Sequence, residues 1–356
     1  MHLSKCSQKR LARHFDDYPL FDWLRFVLAS VVGLGHVDLI PRSDITGNLA
    51  VQVFFALSGW LIGGILLETS RQDVPRFFFN RATRIWIPCL FSIFTVYGLS
   101  ALREPLSWRW LEFLFYDLTF THNWFSLRPD PIVALAQMPL KGTNNGLWSI
   151  AVEEQFYLIA PLLILTLRAG RTPWLWAAVT AILWYEQFTD FSTISFGVLA
   201  ATVQRWRPAF QLNGYFVAAA AATAVLAAIV LAGFSYPMGA PLFAISVVLL
   251  CARPGTRGST GVFLGAVSYP MYLNHWMGAF IINGIAKRAG WLTQPATGIL
   301  SYVLGVGAGI AAYWMIDRVV MANRNRFFSP RIGIALATVA YSLVSLGILG
   351  GLMLQR

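Results

Sequence analysis

Residues 144–165 read NNGLWSIAVEEQFYLIAPLLIL. From Leu147 onward the run is apolar and long enough to cross a bilayer as one helix, which takes about 20 residues. Glu153 and Glu154 stand six or seven residues inside it, about 10 Å along the axis at 1.5 Å per residue. A lipid-embedded helix tolerates ionisable groups only where they are paired or functional. The stretch therefore predicts both a membrane fold and a place to look for chemistry.

The composition of the whole chain agrees. Of 356 residues, 57% are hydrophobic and 12% charged, with a mean hydropathy of +0.59. Soluble domains run nearer about 45–50% apolar and 25% charged. These values exclude a soluble globular enzyme, a disordered scaffold, a disulfide-stapled module and a coiled coil. Apolar windows fall at 20–40, 49–69, 85–102, 147–167, 174–189, 192–206, 214–233, 236–252, 261–285, 294–316 and 332–354. The prediction is an all-α, polytopic integral membrane protein of about 11 transmembrane helices, ten core helices and one C-terminal. Residues 1–19 form a basic, cytoplasmic N-terminus, 20–320 the membrane domain, and 321–356 a cytoplasmic connection with an extra helix. The first apolar run reads as an uncleaved helix rather than a signal peptide.

Charge sets the orientation. With the N-terminus in the cytoplasm, the inner connections carry 18 Lys and Arg and the outer ones 8, Arg25 lying within the first window. The net charge of +11 is then a sidedness signal rather than a nucleic-acid signal, and the C-terminus is expected outside. Cys6, Cys89 and Cys251 show neither a metal spacing nor a disulfide framework. The longest outer connection, 103–146, contains WRWLEFLFYDLTFTHNWF (108–125). It reads as an interfacial helix anchored by Trp108, Trp110, Tyr116 and Trp124, or as rings that stack on a sugar.

Polar groups inside the bilayer mark the candidate site. FDWLRFVLASVVGLGHVDLI (21–40) carries Arg25 and His36, eleven residues and about 16 Å apart on nearly the same helix face. An imidazole there suits a general base, with a structural contact as the alternative. Glu153 or Glu154 could orient that histidine, or both could partner buried arginines. Arg81 and Arg84, in RQDVPRFFFNRATRIWIP (71–88), share one helix face and suit a phosphorylated ligand or simple inner-face anchoring. In helix 2, Ser58-Gly59 and Gly63-Gly64 predict close backbone packing, as does the Ala-rich run 214–232. His275, in SYPMYLNHW (268–276), reads as either a packed contact or a site residue.

Together these segments resemble the membrane-bound acyltransferase-3 family. Arg25 and His36 reproduce its arginine–ten residues–histidine signature. VQVFFALSGWLI (51–62) resembles its second-helix motif, with Gln52 where many members have an acid, and FFFNRATRIWIP its R-x-x-R segment. LWSIAVEEQFYLIAP (147–161), LGAVSYPMYLNHW (264–276) and YWMIDRVV (313–320) resemble three further motifs, the last with Asp317 in place of a common Glu. The resemblance spans roughly residues 20–320 and implies an O-acyltransferase. Such an enzyme moves an acyl group, by default acetyl, from cytoplasmic acyl-CoA to a hydroxyl of an extracytoplasmic glycan or lipid-linked sugar, in the inner membrane. It implies His36, Glu153 and Glu154 as catalytic, and Arg25, Arg81, Arg84, Trp148, Ser149 and His275 as substrate-binding. Asn144, Asn145 and Ser149 are candidate oxyanion donors. No metal, bound cofactor or nucleic acid is expected; acyl-CoA, the acceptor saccharide and the bilayer are the partners. A transporter or flippase of a glycan-related substrate is the competing reading.

Overall fold

The computed structural model describes residues 18–355, apart from positions 42, 144 and 291. The basic segment with Cys6, Lys5, Lys9, Arg10 and Arg13, and the candidate donor Asn144, lie outside the described residues. Among those described there are helices and no strands. The principal helices are α1 (Pro19–His36), α2 (Leu49–Glu68), α3 (Val74–Ala101), α4 (Trp108–Leu118), α5 (Leu147–Thr166), α6 (Pro173–Tyr185) and α7 (Thr189–Trp206). They continue with α8 (Gly214–Gly233), α9 (Tyr236–Cys251), α10 (Ser259–Asn274), α11 (Trp276–Ala289), α12 (Ala296–Phe327) and α13 (Pro330–Leu354). Each apolar window lies on a helix. Six helices are individually long and apolar enough to cross a membrane: Ile45–Glu68, Arg71–Ala101, Leu147–Thr166, Gly214–Gly233, Ala296–Phe327 and Pro330–Leu354. Lipid as the outer solvent explains why Phe94, Leu226, Ile229 and Val303 are more than half exposed on helix flanks.

Three boundaries differ from expectation. The first helix ends at His36, four residues early. There the N–H of Leu39 bonds the carbonyl of Leu34 at 3.1 Å and that of Asp38 bonds Gly35 at 3.3 Å, with Asp38 at φ 58°. This is a Schellman stop built on an aspartate instead of glycine, so no glycine announces it. The third helix begins at Val74, one turn of 3₁₀ helix having preceded it and Pro75 sitting in its first turn. Arg76, Arg81 and Arg84 therefore ride on the helix itself. The window 261–285 is broken at His275 into α10 and α11.

The chain clusters into two compact units: one holds the chain up to Ser70 and Ile159–Tyr269, the other Arg71–Leu158 and Pro270–Arg356. In the first, α2 packs on α7 and α9, and α7 also on α6 and α9. The α2–α7 approach needs glycine on both sides. A β-carbon at Gly59 would strike the carbonyl of Ile194, and one at Gly197 the carbonyl of Ala56. A β-carbon at Gly63 would sit 3.1–3.3 Å from Ala201 and Val198, while Gly64 has open space. The Ala-rich α8 packs closely along one side only, on α9; just Ala220 and Ala227 are buried along it. Its small residues serve one seam, and the rest of its surface is exposed.

In the second unit α13 lies along α3 and α4. Gly333, Gly347 and Gly351 are seated against Pro75, Thr119 with Thr121, and Phe125, where any side chain would clash. Tyr341 donates from its hydroxyl to the carbonyl of Leu158 at 2.8 Å. The aromatic stretch 108–125 is not one helix. Ser107 caps α4 by accepting from the Trp110 N–H at 3.1 Å, and the chain turns at Phe120 with φ 53° before a short helix, His122–Phe125. Among the expected surface anchors, Tyr116 is fully buried against Phe125, and Trp124 donates to Gln155 at 2.8 Å.

Candidate active site

In the first unit, Arg25 lies half-buried in α1 and His36 closes the same helix, exposed. The helix around them is fixed by a pair that sequence reading passed over. Asp22, buried, accepts a two-pronged hydrogen bond from Arg257, Nε to Oδ2 at 2.6 Å and NH2 to Oδ1 at 2.8 Å. Gly265 permits the approach, since a β-carbon there would meet the Asp22 carboxylate. A planar guanidinium matched to a carboxylate in this way sets orientation as well as charge.

The glutamine in place of an acid also finds an explanation. Gln52 donates to Asp190 Oδ1 at 2.6 Å and accepts from the Thr193 hydroxyl at 2.6 Å, both from α7. The carboxylate is thus supplied by the neighbouring helix, hydrogen-bonded to the motif position. A cavity of about 300 Å³ opens among Tyr18, Trp60, Gly64, Glu68, Gln204 and Arg205. Tyr18 adjoins the first turn of α1, at the end opposite His36.

The second unit gathers the motif residues of α3, α5 and α12. Trp86 donates from its indole nitrogen to Glu154 Oε2 at 2.7 Å, while Oε1 of Glu154 is buried with no hydrogen-bond partner among the described residues. Tyr157 donates to Glu153 at 3.1 Å. Arg81 lies 5.7 Å from the Tyr157 ring centroid and 5.9 Å from that of Phe77, within electrostatic reach of both glutamates. Direct contact from Glu154 goes to the indole. Asp317 stands in a single π-helical turn, Tyr313–Asp317, and feels the charge of Arg84. Such turns break the regular ladder and recur at functional sites.

Ser149 is engaged rather than poised. Its hydroxyl lies 2.7 Å from that of Tyr272, and both contact the carbonyl of Gly146 at 3.0–3.1 Å. Trp148 is half-buried beside it at the start of α5. His275 sits in the break between α10 and α11, buried, with Nδ1 donating to the carbonyl of Tyr272 at 2.8 Å. Asn145, the other candidate oxyanion donor, accepts at Oδ1 from Nε2 of His122 at 2.9 Å.

That bond belongs to a buried chain which sequence reading did not single out. Nδ1 of His122 contacts Asp117, whose second oxygen accepts from the Tyr97 hydroxyl at 2.7 Å. Burial alone would push the His122 imidazole down; the Asp117 charge and the bonds to Asp117 and Asn145 outweigh it, and the net shift is upward. A cavity of only about 20 Å³ adjoins it, lined by Tyr97, Asp117, His122 and Asn145 among others. With Asp117 on one nitrogen and Asn145 on the other, His122 clamps the connection onto α3 and the start of α5, and both of its ring nitrogens are engaged. The signal for it was D-x-x-x-x-H within 117–122, a spacing with no recognisable period.

No group of three or more His, Cys, Asp or Glu able to hold a metal occurs among the described residues. The profile of the acyltransferase-3 family, an acyltransferase domain, matches residues 18–318. The O-acetyltransferase OatA of Staphylococcus aureus (strain NCTC 8325 / PS 47) is 34% identical over 165 residues, 44% of this chain and 26% of that protein. A putative O-acetyltransferase of S. aureus (strain COL), SACOL0978, is 28% identical over 158 residues, 42% of this chain and 25% of that protein. The chain thus matches about a quarter of the length of these relatives. No solved structure matches.

Proposed function

The chain belongs to the acyltransferase-3 family, and from that premise we propose that it is a membrane O-acyltransferase. The acyl group, acetyl by default, passes from cytoplasmic acyl-CoA to a hydroxyl of an extracytoplasmic glycan or lipid-linked sugar. The observation that carries this reading is the state of the histidines. Of the three described, His36 alone is exposed, closing a helix that the Asp22–Arg257 pair holds in place, while His122 and His275 are buried. A general base must reach the proton it removes, and only an accessible imidazole can.

In the proposed reaction His36 takes the proton of the acceptor hydroxyl. The oxygen attacks the thioester carbonyl, the carbon–sulfur bond breaks, and the thiolate leaves and is protonated. Arg81 and Arg84 hold the donor's phosphates, and Glu153 and Glu154 set the electrostatics around Arg81. Asn145 is bonded at Oδ1, so its Nδ2 can donate to the tetrahedral oxyanion as it stands, whereas Ser149 would have to exchange its partner. The proposed setting is the inner membrane, N-terminus in the cytoplasm and C-terminus outside, as the 18 against 8 distribution of Lys and Arg supports.

The test is transfer of labelled acetyl from acetyl-CoA to a glycan acceptor by membranes bearing wild type or His36→Ala. Loss of transfer by folded variant protein is expected. Undiminished transfer refutes the role of His36, and movement of an unmodified saccharide without a labelled product would mark a transporter.

A further inference from the structure

The densest charge in the second unit lies where the first turns of α3 meet the last turns of α12. Arg324 of α12 is within electrostatic reach of Arg76, Arg81 and Arg84, and no carboxylate acts on it. Among the described residues it makes no hydrogen bond or ion pair. Glu153 and Glu154 act on Arg81 and Asp317 interacts with Arg84, whereas no carboxylate acts on Arg76 or Arg324. Arg76 donates to Asn325 and its guanidinium sits 4.3 Å over the Phe328 ring; Arg81 lies between the Phe77 and Tyr157 rings. Nε of Arg81 is buried without a hydrogen-bond partner.

Gathering half-buried like charges is unfavourable, and rings or amides that position a guanidinium do not neutralise it. An arrangement held by neutral contacts keeps its donors available for an outside anion. Forked guanidinium groups match the geometry of phosphate oxygens, and the two arginines on which no carboxylate acts leave charge for an outside anion to offset.

We propose that Arg324 is a fourth phosphate ligand: with Arg76, Arg81 and Arg84 it seats the phosphate groups of a nucleotide-linked acyl thioester, making affinity depend on how many phosphates the donor carries. This rests on the reading that acyl-CoA is the donor. It adds Arg76 and Arg324, both outside the six motifs, to the proposed donor contacts and implies discrimination among donors by phosphate count.

The experiment measures binding of CoA, 3′-dephospho-CoA and pantetheine to the full chain in phosphatidylcholine nanodiscs. Wild type should bind them in that order, tightest first. Arg324→Gln should weaken CoA about tenfold and narrow its lead over dephospho-CoA, as expected for loss of one charge-assisted contact. Arg324→Lys should retain part of the affinity, and the exposed Arg168→Gln should change nothing. The ligand-free Arg324→Gln protein should melt no lower than wild type, because a repulsion has been removed.

CoA binding unchanged in Arg324→Gln, with binding lost in Arg81→Gln, overturns the role of Arg324 and leaves the donor reading standing. If wild type binds no CoA yet transfers acetyl from another donor, the donor reading fails and this proposal with it. If Arg324→Gln alters only binding of anionic lipid, the cluster serves headgroups and the proposal is overturned.

Discussion

His36 and His122 put the same imidazole to opposite uses. His36, itself exposed, ends a helix whose last turn is otherwise largely buried, and a left-handed aspartate two residues on stops the helix there. His122 lies beneath the surface with Asp117 on one nitrogen and Asn145 on the other. The difference teaches that burial and strong partners, often taken as marks of a catalytic group, here mark a clamp. The proposed base is the histidine whose ring is exposed.

The sharpest break in the comparison is functional. His36→Ala should cost about 10²–10⁴-fold in acyl transfer, the range for removing a general base, with the melting midpoint unchanged. His122→Ala should do the reverse. It leaves the Asp117 carboxylate buried without its cation, a loss on the order of 3–5 kcal/mol, so thermal unfolding in nanodiscs should shift strongly downward. The activity of each remaining folded molecule should be near normal. If His122→Ala unfolds like wild type but abolishes transfer, the assignment of the two rings is inverted.

A smaller effect separates them by pH. The His122 ring binds its proton more tightly in the folded protein than the ordinary value of 6.5. Its contribution is therefore complete below about pH 6.5 and is lost as pH rises through the elevated folded value. Melting midpoints should decline as pH rises through that window, and His122→Gln should flatten the decline. The smallest change tests the helix stop beneath His36. Asp38→Gly should preserve or raise stability, whereas Asp38→Val should lower it by about 1–2 kcal/mol, read from the same melts, because the left-handed conformation clashes with a β-branched side chain.

The helices were legible because lipid demands long apolar runs, and every such run proved helical. The arginine–histidine signature and the R-x-x-R pair were legible because each lies within a few turns of one helix. What escaped was long-range pairing. Asp22 meets Arg257 across 235 positions and Gln52 meets Asp190 across 138, and no local period encodes either. The stop at His36 was hidden for another reason: glycine is the usual sign of a left-handed cap, and here aspartate does the work. Arg324 was counted with the inner-face charges, where sequence gives no hint of which basic residue turns toward α3.

The seating of α13 has a consequence for how the protein is made. Its glycines close over Pro75, Thr119 and Phe125, all synthesised some 200 residues earlier. Until α13 leaves the ribosome, the flank of α3 that it covers must be sheltered by lipid or by the insertion machinery. The helix bearing Arg76, Arg81 and Arg84 thus reaches its final surroundings only after α13 has been made, so a chain stalled before it would hold the motif without its finished setting.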